Sequence, residues 1–314
     1  MSKKKVLVIG GTGYLGQHLL QGLTASEDPP YYVAFTFASS LPAALIRAFP
    51  HALGFHVDLA TGQGLEVIPE TFGQPDVVVN CAALSVPREC EANPDRAMSV
   101  NVPHTLVKWL SSFEGEKPLL IHLSTDQVYE GVKSFYKEDD ETVPVNVYGK
   151  SKVEAEKLIS SSYSNYAILR SSIIVGPQCV ARVAKTLPIQ WIDEVLSKGQ
   201  AEEFFEDEFR CPVYVKDVVS IILSLTKKWV SEGKPMQLLL NVGGPDRLSR
   251  AQMAEAVAQT RGHDLSLIKR VPASSVNRGV NSPADISMDI TKLIQTVNVS
   301  PTSFRDSVKL TLQM

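Results

Sequence analysis

Lys4-Lys5-Val6-Leu7-Val8-Ile9-Gly10-Gly11-Thr12-Gly13-Tyr14-Leu15-Gly16 is the stretch whose reading decides the fold. Lys4 to Ile9 is a near-continuous apolar run, the pattern of a strand buried on both faces. Glycines follow at once with the spacing Gly10-x-x-Gly13-x-x-Gly16, and a helical pattern carrying Leu19, Leu20 and Leu23 continues from them. Strand, glycine turn and helix in that order open a dinucleotide-binding unit. One glycine makes the tight turn, one lets the backbone approach a pyrophosphate, and one lets helix and strand touch. The helix N-terminus adds unpaired N–H groups and positive dipole for the phosphates. Gly10, Thr12, Gly13, Tyr14, Leu15 and Gly16 are therefore the expected cofactor loop.

Outward from this unit, strands and helices alternate. A second strand, Tyr32 to Phe37, leaves through Ala38-Ser39-Ser40. The usual fingerprint has an acid there to bind the ribose 2′-hydroxyl of NAD. Its absence favours NADP(H), with Ser39, Ser40 or Arg47 to hold a 2′-phosphate, over NAD(H). Leu53 to Val57 ends at Asp58-Leu59, which could meet the adenine; a solvated turn aspartate is the competing reading. Asp76 to Asn80 leaves through Cys81-Ala82-Ala83, residues small enough for a flat cofactor to lie close. Pro87 to Leu110 is helical in pieces and carries Asn101 between two valines, either a satisfied core amide or a functional one.

Leu119 to Leu123 is a further buried strand, ending in Ser124-Thr125 where ligands of open α/β sheets bind. A hydroxyl there can donate to a substrate carbonyl or cap the next turn. Tyr148-Gly-Lys-Ser-Lys152 opens a helical pattern running to Ile159. The spacing puts Lys152 one turn beyond Tyr148, where an ammonium would favour the phenolate and lower a pKa of about 10. Tyr129 and Lys133 repeat the spacing, but in a strand exit and loop, so Tyr148 and Lys152 are the functional pair.

After Tyr166–Leu169 and Ser172–Val175 the alternation breaks. Gln178 to Arg210 holds a helical middle, Leu187 to Leu196, and an acidic, aromatic run, Glu202 to Phe209. Val213 to Trp229 reads as an apolar helix and Gln237 to Val242 as a strand. Ser249-Arg250-Ala251-Gln252 is a capping box, with Gly262 closing its helix. The tail from Pro272 is mixed and polar. The expected fold is α/β, a Rossmann-type doubly wound parallel sheet with a smaller C-terminal substrate lobe. Residues 1–175, joined again by 211–243, would form the dinucleotide-binding domain, and 176–210 with 244–314 the substrate-binding lobe.

Composition agrees with a soluble globular protein able to bury a sizeable core. The 314 residues are 44% hydrophobic and 21% charged with net charge −3, and the lack of a basic tract argues against nucleic acid. No run reaches membrane-spanning length. The four cysteines have neither CxxC spacing nor scaffold density, and the histidines show no metal-ligand spacing. A cytoplasmic protein with reduced thiols, a small-molecule substrate and no metal is expected.

Together, the loop Gly10 to Gly16, the exit Asn80 to Ala83, Asn101, Thr125, Tyr148 with Lys152, and Arg210 ahead of Pro212 and Asp217 resemble an extended short-chain dehydrogenase/reductase. Ser124-Thr125-Asp126-Gln127-Val128-Tyr129 and Asp289-Ile290-Thr291-Lys292-Leu293 are most similar to dTDP-4-dehydrorhamnose reductases and to their relatives, the regulatory beta subunits of methionine adenosyltransferase. The resemblance implies that Tyr148 protonates a ketone oxygen while a nicotinamide delivers hydride. Lys152 would bind the nicotinamide ribose and keep the Tyr148 pKa low, Thr125 would orient the carbonyl, and Asn101 would steady the active-site helix. It also suggests Ser85, Trp191 and Arg210 near substrate, a homodimer, and the methionine adenosyltransferase catalytic subunit as an alternative partner. One departure stands out: Ser282-Pro283-Ala284-Asp285 occupies a place usually held by Arg-Pro-x-Asn, so an arginine that could grip a nucleotide-sugar phosphate is a serine.

Overall fold

Side-chain alternation in the first strand already assigns two cores. In the computed structural model, which describes residues 3–26 and 30–313, Val6 and Val8 face one side of a sheet and Leu7 and Ile9 the other. That sheet has seven strands: β1 (Lys4–Ile9), β2 (Tyr31–Phe37), β3 (Leu53–His56), β4 (Val77–Asn80), β5 (Leu119–Thr125), β6 (Tyr166–Ser171) and β7 (Gln237–Val242). Their order is β7-β6-β5-β4-β1-β2-β3, and every neighbouring pair is parallel. Central β4 and β5 are buried at every position, as strands covered on both faces must be.

Helices Tyr14–Leu23 and Val215–Glu232 cover the first face, sinking Leu19, Leu20, Val218 and Ile222 into the Val6 core. Helices His104–Ser112 and Val147–Ser162 cover the second, with Leu106, Leu110 and Ile159 against Leu7 and Val78. The direction of strand addition reverses between β1 and β4, which opens a cleft beyond their carboxyl ends. The glycine loop and the segments after β4 and β5 converge there.

A third core lies outside the sheet. Ile189, Ile192 and Leu196 of helix Pro188–Ser197 meet Phe204, Met253, Val257, Phe304 and Val308. The acidic, aromatic run is partly strand here: Glu202–Phe205 pairs in parallel with Ile268–Val271, and Phe209–Arg210 pairs antiparallel with Leu248–Ser249. The capping box forms as expected, with Gln252 N donating to Ser249 Oγ at 3.2 Å and Ser249 N to Gln252 Oε1 at 2.8 Å; Gly262 closes the helix at φ 76°.

Two segments differ from expectation. Val213–Tyr214 is a short strand, and its helix starts only at Val215, because Val213 N is already bonded to Ile173 O. The tail contains helices Thr291–Val297 and Phe304–Leu312. Leu293 with Val297 and Phe304 with Val308 are isolated i, i+4 pairs, too short a signal in polar surroundings, and they become helical by docking into existing cores.

Candidate functional site

The glycine loop is shaped by contacts that leave no room for side chains. Gly10 adopts φ +78°, and a Cβ on it would lie 2.9 Å from Ala82 Cβ at the β4 exit. A Cβ on Gly16 would run into the Gly10 carbonyl oxygen. Gly13 is the N-cap of helix Tyr14–Leu23 and contributes no capping side chain, so first-turn N–H groups lack a side-chain acceptor. This is a cradle suited to a dinucleotide pyrophosphate.

Beyond β2, Ser39, Ser40 and Arg47 are exposed, and no acid stands at the strand end. His56 Nε2 lies 3.0 Å from Ala38 O beside them. Asp58 Oδ1 accepts from Ala60 N at 2.9 Å, a local turn contact, and Leu59 O accepts from the Thr105 hydroxyl at 2.6 Å. Cys81 N donates to Ile9 O at 3.0 Å, stitching the β4 exit to the glycine loop, and Ala82 N donates to Asn80 Oδ1 at 3.2 Å.

Asn101 is a fully engaged buried amide. Its Oδ1 accepts from Leu84 N at 2.8 Å, and its Nδ2 donates to Leu84 O at 3.0 Å and Ser151 Oγ at 2.9 Å. It ties the loop carrying Ala83 and Ser85 to the helix carrying Tyr148. That helix is capped by Asn146, whose Oδ1 accepts from Gly149 N at 2.9 Å. The same side chain reaches Gln127 Oε1 at 2.8 Å and Asn281 O at 3.0 Å. Sequence reasoning passed over Asn146, although an asparagine just before a helix is a recognisable cap.

Tyr148, Lys152 and Glu156 follow one another at four-residue intervals and all are buried, at 9%, 1% and 8% exposure. The Tyr148 phenol lies near the Thr125 hydroxyl. Burial pushes its pKa well above the ordinary value, the Thr125 hydroxyl opposes this, and the Asp126 charge adds to it. The expected lowering by Lys152 is therefore not what the fold produces. Lys152 Nζ turns instead to His122 Nε2, 3.3 Å away. Burial lowers the Lys152 pKa to about 8, against an opposing pull from Glu156. His122 is wholly buried, and burial followed by the neighbouring Lys152 charge pushes it well below the usual histidine range, so it is neutral. Its Nδ1 lies 3.2 Å from Asn80 Nδ2.

Glu156 accepts from the Ser124 hydroxyl and forms a forked pair with Arg170, Nε–Oε1 3.1 Å and Nη2–Oε2 2.7 Å. Arg170 Nη1 donates to the Tyr129 hydroxyl at 2.9 Å, and that hydroxyl donates to Asn241 Oδ1 on β7 at 2.7 Å. Tyr129 is thus part of a buried network, while Lys133 pairs with Asp140 at 2.5 Å. His122 and Glu156 escaped the sequence reading. One was a lone polar residue in an apolar strand, and the other needed the helix period carried one turn past Lys152.

Thr125 accepts from Gln127 N at 3.3 Å and donates to Asp126 Oδ1 at 3.2 Å, so it caps the following turn as well as meeting Tyr148. Arg210 is 2% exposed. Its Nη1 donates to Phe209 O at 2.7 Å, and its Nη2 to Pro283 O at 2.9 Å and Ser282 Oγ at 3.2 Å. The serine standing where the resemblance expects arginine is thus a partner of Arg210. Trp191, 38% exposed, packs edge-on against Phe204, ring centres 5.7 Å apart.

Comparison with known proteins places this geometry. The chain is 27% identical over 312 residues to "Methionine adenosyltransferase 2 subunit beta" of Mus musculus, covering 98% of this chain and 87% of the relative. It is 27% identical over 236 residues to a "Probable low-salt glycan biosynthesis reductase" of Haloferax volcanii, covering 74% and 75%. The fold superposes on dTDP-4-dehydrorhamnose reductase from Bacillus anthracis, solved with NADP, at TM-score 0.79 and 18% identity, covering all of both chains. UDP-glucose 4-epimerase of Thermotoga maritima superposes at TM-score 0.80 and 21% identity, covering 98% and 97%. With residues 4–314 matching the family described as "RmlD substrate binding domain", the chain belongs to that family, within the extended short-chain dehydrogenases/reductases.

Proposed function

We propose that the protein is a reductase that takes hydride from NADPH, in preference to NADH, and passes it to a ketone, with a 4-keto-sugar nucleotide as the substrate class. The observation carrying this reading is that Thr125, at the carboxyl end of β5, and Tyr148 are both buried and close enough for Thr125 to act on the phenol, while the glycine loop packs against the exit of neighbouring β4. A nicotinamide dinucleotide bound on the loop would supply the hydride. Gly10, Thr12, Gly13, Tyr14, Leu15 and Gly16 hold its phosphates, Ser39 and Ser40 with Asp58 and Leu59 its adenosine end, and Cys81, Ala82 and Ala83 give it a flat wall. Tyr148 donates a proton to the ketone oxygen, Thr125 orients that oxygen, Lys152 holds ribose hydroxyls, and Asn101 fixes the helix. Residues 1–175 with 211–243 bind the dinucleotide; 176–210 with 244–314, including Trp191 and Arg210, select the substrate together with Ser85. No described helix is long and apolar enough to cross a membrane, and we place the protein in the cytoplasm.

A second reading is favoured by the near full-length similarity to methionine adenosyltransferase beta subunits: a regulatory partner of a methionine adenosyltransferase catalytic subunit that keeps the cofactor fold. NADPH consumption with a panel of keto-sugar nucleotides and simple ketones separates the two. Turnover that disappears in Tyr148→Phe while cofactor still binds supports the reductase. Failure of the whole panel, together with co-purification of a methionine adenosyltransferase, supports the partner.

A further inference from the structure

Hydrogen-bond direction can be followed along one buried line, because a backbone N–H and a side-chain amide have fixed donors and acceptors. Ala82 N, at the β4 exit, donates to Asn80 Oδ1 at 3.2 Å. That contact turns the other end of the amide, the Nδ2 donor, onto His122 Nδ1 at 3.2 Å. Turned the other way, Asn80 would set two donors against each other at Ala82. Asn80 is 2% exposed and His122 0%, so solvent does not repair such a clash. His122 Nδ1 is thus an acceptor, and the single hydrogen of the neutral imidazole sits on Nε2. Nε2 faces Lys152 Nζ at 3.3 Å. An ammonium has three hydrogens and no lone pair, so it cannot receive this hydrogen; a neutral amine can.

We infer that Lys152 lies against His122 as a neutral amine, that Asn80 makes His122 its positioning residue by fixing which nitrogen carries the hydrogen, and that a proton taken up by Lys152 breaks this contact and frees the side chain for another acceptor. Besides His122 on β5, the titratable groups around Lys152 are Glu156 one turn on and Tyr148 one turn back along its helix, and Cys81 at the β4 exit. Glu156 is already paired with Arg170 of β6 at 2.7 Å. Burial pushes the Cys81 thiol up to about 12 and the Tyr148 phenol well above its ordinary value, so both stay uncharged at neutral pH. Burial also lowers the Lys152 pKa to about 8, against the pull of Glu156 and Cys81. The ammonium therefore prevails below that value and the amine above it, and the contact with His122 belongs to the upper side.

The proton inventory is read without any substrate. Histidine and lysine labelled with 15N and 13C are titrated by NMR from about pH 6 to 10 in the dinucleotide-free protein, with His122→Gln and Lys152→Met identifying the two residues. In the wild type, His122 Nδ1 should stay unprotonated throughout, while the Nε2 and Lys152 signals move with one shared midpoint. Asn80→Asp keeps the acceptor for Ala82 N but offers His122 an acceptor in place of a donor. The hydrogen should then pass to Nδ1, and the Lys152 midpoint should rise by at least about one pH unit, the scale of one hydrogen bond gained by a charged group. Asn80→Ala adds no charge and should move the midpoint the same way; far-UV spectra and melting points check that both variants fold. A wild-type His122 protonated at Nδ1 overturns the inference, as does an Nε2 signal that ignores the titration of Lys152 or a midpoint that rises in neither variant. Where Lys152 is read as the holder of ribose hydroxyls, the freed ammonium is the form that reaches them, so bound NADPH should raise the wild-type midpoint. A midpoint that bound NADPH leaves in place removes that ribose contact, and the titrations of the free protein alone then decide the positioning role.

Discussion

Replacing Glu156 by alanine should destabilise the protein by about 3–5 kcal/mol, the usual result of stranding one charge of a buried ion pair. The surviving Arg170 side chain is only 5% exposed and loses three charge-assisted contacts, at 3.1, 3.2 and 2.7 Å. What remains to it is neutral, the Tyr129 hydroxyl and Glu138 O. Ser124 loses its acceptor as well. Burial by itself would lower the Arg170 pKa, and the bonds and charge of Glu156 lift it above its ordinary value, so the pair is what lets this cation be buried. Spread over 314 residues, that loss corresponds to a fall in Tm of roughly 5–8 °C. Urea unfolding followed by circular dichroism measures it directly. Glu156→Leu combined with Arg170→Met should recover most of the loss, because apolar groups of similar volume replace both charges. A penalty under about 1 kcal/mol for Glu156→Ala, or a double variant no better than the single, would refute the assignment of this pair as the network's anchor.

Three further outcomes are expected. Lys152 titrates near 8 in the fold and near 10.4 unfolded, so between those values the unfolded chain binds more protons and wild-type stability relative to Lys152→Met rises by about 2 kcal/mol from pH 8 to pH 10; denaturation curves at those two pH values report it. His122 is held neutral, so below about pH 6.5 the unfolded chain protonates first and stability falls as pH drops. His122→Gln should remove that part of the acid slope in the same measurement. Gly16→Ala drives a methyl group into Gly10 O and should weaken binding of a nicotinamide dinucleotide by more than about tenfold in a fluorescence titration, through distortion of the loop.

Much of the sheet was readable because its evidence is local. Val77-Val78-Val79-Asn80 and Leu119 to Leu123 can hardly be anything but strands buried on both faces, and glycines at 10, 13 and 16 announce a turn that only they can make. Tyr148 was readable for the same reason, since its helix follows directly. Its electrostatics were not, because they depend on what packs around the helix. The four-residue spacing correctly puts Lys152 one turn on, yet His122, thirty positions earlier on β5, takes the amine, and burial raises the phenol whose pKa spacing alone would have lowered. Likewise nothing near Ser282 in sequence reveals that Arg210 donates to it. The tail helices at Leu293 and Phe304 were hidden because their apolar pairs mean little until the cores that receive them exist.

The position of β7 bears on how the chain acquires this fold. It seals the edge of β6 over its whole length, from Gln237 opposite Tyr166 to Val242 opposite Ser171, and brings Asn241 to the Tyr129 hydroxyl. During synthesis, the first six strands therefore leave the ribosome with β6 as an open parallel edge and Tyr129 lacking its Asn241 acceptor, and they keep both until residue 242 has emerged. Unpaired parallel edges invite mispairing with other chains. A ribosome-bound fragment ending at 235 should need chaperone protection that one ending beyond 260 does not.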